Sequence, residues 1–200
     1  MTTITALYDT YDSASSAVRD LEAAGVPHSD ISIVASNADN RHAGHSDAAE
    51  DAGTGAGIGA AVGGLGGLLT GLGIMAIPGV GPVVAAGWLA ATAVGAVTGA
   101  AVGGAAGGLI GSLTDAGVPE RDAHVYAEGV RRGGTLVTAR VDDARAAEAN
   151  AILQRYKAVD PAARGAAYRE SGWQTFDAGA QPYTADEVAR ERARYNTTAL

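Results

Sequence analysis

Few residues in this chain have types and spacings that could do chemistry. His42-x-x-His45 is followed closely by Asp47, Glu50 and Asp51. Imidazole and carboxylate ligands of that kind suit Zn²⁺. They fall in Asn37–Glu50, a polar, charge-mixed stretch that reads as an open loop without a closed ligand set, so metal is not expected there. Ser15 and Ser16 have no histidine and acid at a spacing that would make a nucleophile. Gly55-Ala56-Gly57 contains Gly-x-Gly, but no full dinucleotide fingerprint follows a strand. The chain has 0 cysteines, which excludes disulfides, thiolate chemistry and cysteine metal sites. The sequence therefore assigns no catalytic residue, no cofactor and no metal.

The residue with a regular spacing is glycine. Between Asp51 and Asp115 there is no Asp, Glu, Lys, Arg or His. Within that run Gly55, Gly59, Gly63, Gly67 and Gly71 recur every fourth residue. The interval resumes after Pro78-Gly79-Val80-Gly81-Pro82 at Gly87, passes through Ala91, and continues at Gly95, Gly99, Gly103, Gly107 and Gly111. Residues four apart lie nearly above one another on a helix. The spacing thus predicts a glycine-zipper helical hairpin: one helix over 54–77, a Pro-Gly turn, and a second helix over 83–113. A bare glycine ridge lets another helix backbone approach closely. Glycine also costs about 1 kcal/mol against alanine in a helix interior, so such helices need packing or a bilayer to form. These eleven glycines are the expected helix-packing, or oligomerisation, residues.

Elements that would position the hairpin lie on both sides of it. Thr3–Tyr8 reads as a strand. A helix follows, capped by Asp12 or Ser13, with Ala14, Ala17, Val18 and Leu21 inward and a stop at Gly25. Ile31–Ala35 reads as a second strand. Beyond the hairpin, Ala116-Gly117-Val118-Pro119-x-x-Asp122 repeats Ala24-Gly25-Val26-Pro27-x-x-Asp30. A helix over 119–131 then places Val125 and Tyr126 inward. Thr135–Val141 is the clearest strand, and Asp142 is expected to cap a helix using Ala146, Ala149, Ile152, Leu153 and Tyr156. Ala158-Val159 reads as a brief edge strand. The expected fold is α+β: a ferredoxin-like βαβ…βαβ domain interrupted by the hairpin. Its parts are a first half (1–36), a polar loop (37–52), the hairpin (53–114), a second half (115–160) and a tail (161–200). In the tail, Thr184–Glu187 is a capping box opening a charged helix near 185–195. That helix is expected to pack on its own domain or on a neighbouring subunit.

Taken together, these residues resemble the general stress protein 17M-like, or heat-induced stress protein YflT-like, domain family in its glycine-zipper-inserted form. The resemblance is carried by Gly25-Val26-Pro27 with Ile31–Val34, by Ile77–Pro82, and by Gly117–Glu120 with Tyr126-Ala127-Glu128-Gly129-Val130-Arg131-Arg132-Gly133-Gly134-Thr135-Leu136-Val137. Asp142-Asp143 with the helix to Tyr156, and Tyr168–Trp173, continue it. The resemblance implies a stress-associated bacterial protein and supplies no catalytic residue.

Composition narrows the function. A formal net charge of −8 argues against nucleic acid and against docking on anionic lipid. Met1–Ala6 has no basic region followed by an apolar run, so no secretory signal is expected. The sequence reading is a non-enzymatic structural protein that self-assembles through the hairpin as a homo-oligomer. The hairpin is expected in the cytoplasmic membrane, touching lipid, with the globular part in the cytoplasm. As helices of about 24 and 31 residues its arms would span ~36 and ~46 Å, more than the ~30 Å hydrocarbon core. The alternatives are a soluble cytoplasmic assembly that buries the hairpins in its core, and a ligand-sensing ferredoxin-like module.

Overall fold

The computed structural model describes residues 1–39, 73–77, 79–89 and 104–196. They form an α+β domain whose centre is a five-stranded antiparallel sheet, ordered β1-β5-β2-β4-β3. The strands are β1 (Thr2–Tyr8), β2 (Ile31–Ser36), β3 (Gly73–Ile77), β4 (Gly81–Gly87) and β5 (Thr135–Val141). The helices are α1 (Tyr11–Ala23), α2 (Gly104–Asp115), α3 (Glu120–Arg131), α4 (Ala146–Gln154), α5 (Pro161–Glu170) and α6 (Ala185–Asn196). Beyond β1, Val159 adds a single antiparallel bridge to Leu7.

Helices cover both faces of the sheet, so successive strand residues alternate between two cores. Tyr8, Ile33, Val84 and Val137 pack with α1 and α4. Leu7, Val34, Val83 and Leu136 pack with α2 and α3. This explains why β2 reads as an almost unbroken apolar run: a strand buried on both faces loses its polar alternation.

The repeated Ala-Gly-Val-Pro-x-x-Asp is a repeated turn. After α1, the Val26 N–H donates to Leu21 O at 3.0 Å and the Gly25 N–H to Glu22 O at 2.8 Å. After α2, Val118 donates to Leu113 O at 3.0 Å and Gly117 to Thr114 O at 2.9 Å. Gly25 has φ +87° and Gly117 has φ +91°, the left-handed residue that ends a helix in a Schellman motif. In both copies the Asp N–H then bonds back to the proline carbonyl, starting a 3₁₀ turn in the first and α3 in the second.

The hairpin expected over 54–77 and 83–113 requires correction. Residues 73–77 and 81–87 are paired strands, with Gly73 opposite Ala85 and Ile77 opposite Gly81, and β4 joins β2. The Pro-Gly turn falls where expected, with Val80 N–H donating to Ile77 O at 3.0 Å. It joins strands because Ile74–Ile77 and Val83–Ala86 are short apolar runs that complete the sheet beside β2. Within the expected second arm Trp88 and Leu89 are helical, and so is α2. Residues 54–72 and 90–103 lie outside the described residues. Among those described, no helix is long and apolar enough to cross a membrane.

Smaller differences are local. The α1 cap is Thr10, whose side chain accepts from the Ser13 N–H at 3.3 Å. Asp142 precedes a 3₁₀ turn over 143–145, and α4 starts at Ala146. The capping box holds: Thr184 N–H donates to Glu187 Oε2 at 2.8 Å, and Glu187 N–H to Thr184 Oγ1 at 3.3 Å.

Candidate interaction site

Of the eleven glycines expected to pack helices, Gly55, Gly59, Gly63, Gly67, Gly71, Gly95, Gly99 and Gly103 lie outside the described residues. Gly87 is not on a helix. It ends β4 at φ +90°, and a Cβ there would sit 2.1 Å from the Ile31 carbonyl oxygen. Gly107 and Gly111 lie on α2, and a Cβ on Gly111 would meet nothing within 4 Å. Within this chain, then, Gly111 supports no close helix contact. The His42/His45 loop also lies outside, and among the described residues no group of acids and histidines could hold a metal.

Further closely packed glycines lie in Glu128-Gly129-Val130-Arg131-Arg132-Gly133-Gly134 at the end of α3. A Cβ on Gly129 would lie 2.3 Å from Leu7 Cδ2, and one on Gly133 would lie 2.4 Å from Val188 Cγ1. Gly129 lets α3 settle on β1, and Gly133 lets α6 settle on the end of α3. This segment is the platform on which the tail docks.

Charges fix the docking. Glu128 is fully buried. Its carboxylate accepts from Arg132 Nε at 2.6 Å and from Arg131 Nη1 at 3.2 Å. Arg132 also donates to Glu191 of α6 at 3.2 Å and lies over the Tyr168 ring at 4.1 Å. Burial works against the Arg132 cation, but the hydrogen bond and charge of Glu128 outweigh it and raise its pKa. Arg131 reaches the Gln181 carbonyl at 3.0 Å. Arg192 donates to Gly133 O and to Asp39. Asp39 is the last described residue before 40–72, so α6 is tied to the point where the chain leaves β2. From α5, Arg164 forms a bidentate pair with Asp9 at 2.7 and 2.9 Å and stacks 3.6 Å over Tyr195.

The space between platform and tail is a cavity of about 10 Å³ lined by Asp9, Arg132, Arg164, Tyr168 and Glu191 among others. That volume matches a single water. Burial pushes the Tyr168 hydroxyl well above its usual pKa, against the pull of Arg164. The arginines here are spent on carboxylates and carbonyls. The arrangement holds two parts of one chain together; beside it an open pocket of about 390 Å³ is lined by Asp9, Lys157, Asp160, Arg164 and Tyr195 among others.

Sequence reasoning assigns this segment the end of a helix over 119–131 and a family resemblance, but leaves its charges unassigned. It also passed over α5, although Asp160-Pro161 is a helix start: Asp160 accepts from the Ala163 N–H at 2.8 Å, and proline takes the first position. The tail helix itself packs on its own domain, with Val188 buried.

No curated protein and no solved structure matches the chain. The family model described as the Heat induced stress protein YflT domain matches residues 3–77, which take in β1, α1, β2 and β3. That span matches the family its sequence resembles.

Proposed function

We propose that this is a non-enzymatic, stress-associated structural protein that self-associates through its charge-free segment, with the α+β domain as the base from which that segment is presented. The observation that carries the reading is the 63-residue run 52–114 without a single charge or histidine. Where it is not already packed in the domain's own core, as Val83, Leu89 and Leu113 are, a run of that composition needs a water-poor partner. The glycine spacing in 55–71 and 95–111 suits helix against helix at close range.

The domain's wiring favours contact between copies over a bilayer. The chain leaves the sheet after β2 and re-enters it at β3, then leaves after β4 and returns at α2. Each excursion starts and ends on one body, so any membrane passes must come in pairs. Both excursions are flanked by residues packed in the domain's own core, Ile77, Leu89 and Leu109 among them. The reading therefore places the protein in the cytoplasm with another copy as its partner, and without lipid, nucleic acid or cofactor. The strand order Val159-β1-β5-β2, with α1 and α4 on one face, supports a ferredoxin-like reading of the core, to which β3 and β4 add a hairpin.

Gly63→Leu and Gly99→Leu each test the ridge. Either substitution is expected to reduce the assembly to smaller species in a native mass measurement, because a leucine side chain holds the helices apart. An unchanged mass for both variants refutes the ridge.

A further inference from the structure

We propose that the outer edge of β1 is a second, separate self-association surface, at which two copies join their sheets about a two-fold axis at Thr3. This goes beyond association through the charge-free segment and uses none of its residues.

The edge exists because the chain abandons it. Val159 N–H donates to Leu7 O at 2.8 Å, the only bridge on that side of β1 among the described residues. One residue later Asp160 caps α5, and Pro161 brings no N–H. The would-be strand therefore ends after one bridge. Since Leu7 directs its carbonyl outward, alternation along the strand directs the N–H and C=O of Thr5 and Thr3 outward too. Inward-directed Thr2, Ile4, Ala6 and Tyr8 carry the ladder to β5, which runs without a bulge from Thr2–Val141 to Tyr8–Thr135.

The open part of this edge is short, since Val159 covers Leu7, but its side chains carry no device against pairing. Thr2-Thr3-Ile4-Thr5-Ala6 has no charge, proline or glycine, the devices that blunt exposed edges. Thr3, Ile4 and Thr5 are half-buried, short of the full burial of Ala6 and Leu7. The charges at the start of the strand, the Met1 ammonium and Asp143, pair at 3.3 Å.

A second copy fits better than an arbitrary peptide because the available length selects one symmetric register. Val159 and Asp160 occupy the edge beside Leu7 and Ala6. A two-fold axis at Thr5 would drive the partner strand into Val159. An axis at Ile4 would place the partner's Thr2 against Ala6, where Asp160 turns away. An axis at Thr3 places Thr3 against Thr3 and Ile4 against Thr2, with the partner's Met1 beside Thr5 and clear of the Val159 bridge at Leu7. The result is a closed, isologous dimer with one continuous sheet across it. Threonine facing threonine, and isoleucine facing threonine, are favourable cross-strand neighbours.

The chain lacks cysteine, so Thr2→Cys gives one thiol beside the axis, and Arg190→Cys on exposed α6 serves as a distant reference. With a short bis-maleimide on the full-length protein, Thr2→Cys is expected to link as a dimer and Arg190→Cys is not. Adding Thr3→Pro removes an outward N–H and spares the ladder to β5, since proline is tolerated at such edge positions. It should cut the linked fraction about tenfold with an unchanged circular dichroism spectrum. Thr3→Lys, which leaves the backbone intact and sets two cations face to face, should do the same. Linkage should persist in Gly63→Leu and Gly99→Leu, so that loss of the ridge and loss of this edge are told apart. Linkage of Thr2→Cys no greater than that of Arg190→Cys overturns the proposal, as does linkage that survives both Thr3 substitutions.

Discussion

Glu128→Gln is expected to destabilise the domain by about 3–5 kcal/mol, the usual cost of removing one partner from a buried ion pair. Glu128 is fully buried and accepts from two arginines. Without its charge, Arg132 keeps Glu191 as its one carboxylate beside the Tyr168 and Tyr183 rings, and Arg131 keeps a carbonyl and the Tyr183 ring. A loss of that size is a large share of the 5–15 kcal/mol that holds a typical domain folded. Glu191→Gln should cost clearly less, because Arg132 retains Glu128. The denaturant midpoint of each variant at one protein concentration measures both. Equal, small losses would mean that the cluster contributes little beyond packing.

Gly87→Ala is expected to destabilise by about 3 kcal/mol, through a left-handed backbone and a steric clash together. Gly87 has φ +90°, and an added Cβ would meet the Ile31 carbonyl oxygen at 2.1 Å and Ser32 Cα at 2.7 Å. Both are backbone atoms of the neighbouring strand and cannot rotate away. The sign of the effect separates two structures. On a zipper helix the same change would gain about 1 kcal/mol of helix propensity. In β4 it must lose. A stabilised Gly87→Ala in thermal or chemical denaturation would return residues 83–87 to a helix.

That position also shows why part of the fold was legible and part was not. Strands β1, β2 and β5 and helices α1 and α3 follow from local pattern: apolar residues at strand or helix spacing, bounded by Gly-Val-Pro turns whose hydrogen bonds repeat atom for atom. In 73–87 two local signals coincide. The four-residue glycine interval says helix, whereas Ile74–Ile77 and Val83–Ala86 flanking a Pro-Gly turn say hairpin. What decides is β2, whose free edge lies beside β4 in space but 45 residues or more away along the chain. No window of sequence contains that fact. The platform was hidden for the same reason. Arg164 and Asp9 are 155 residues apart in sequence, and Arg132 and Glu191 are 59 apart. Each reads as an ordinary solvated charge until the tail folds back. Nor does the helix expected over 119–131 show that Gly129 and Gly133 must be glycine, because the atoms that forbid a side chain there belong to Leu7 and Val188.

The claim that residues 52–72 and 90–103 are shielded from water by other copies is tested most directly by amide hydrogen exchange across 52–114 in the intact protein. Measurements at a concentration where it is assembled should be compared with measurements after dilution. Slow exchange in both stretches that becomes fast on dilution, while β1, β2 and β5 stay protected, is the predicted result. Exchange in 52–72 and 90–103 at the rate of an unfolded chain under both conditions would contradict it.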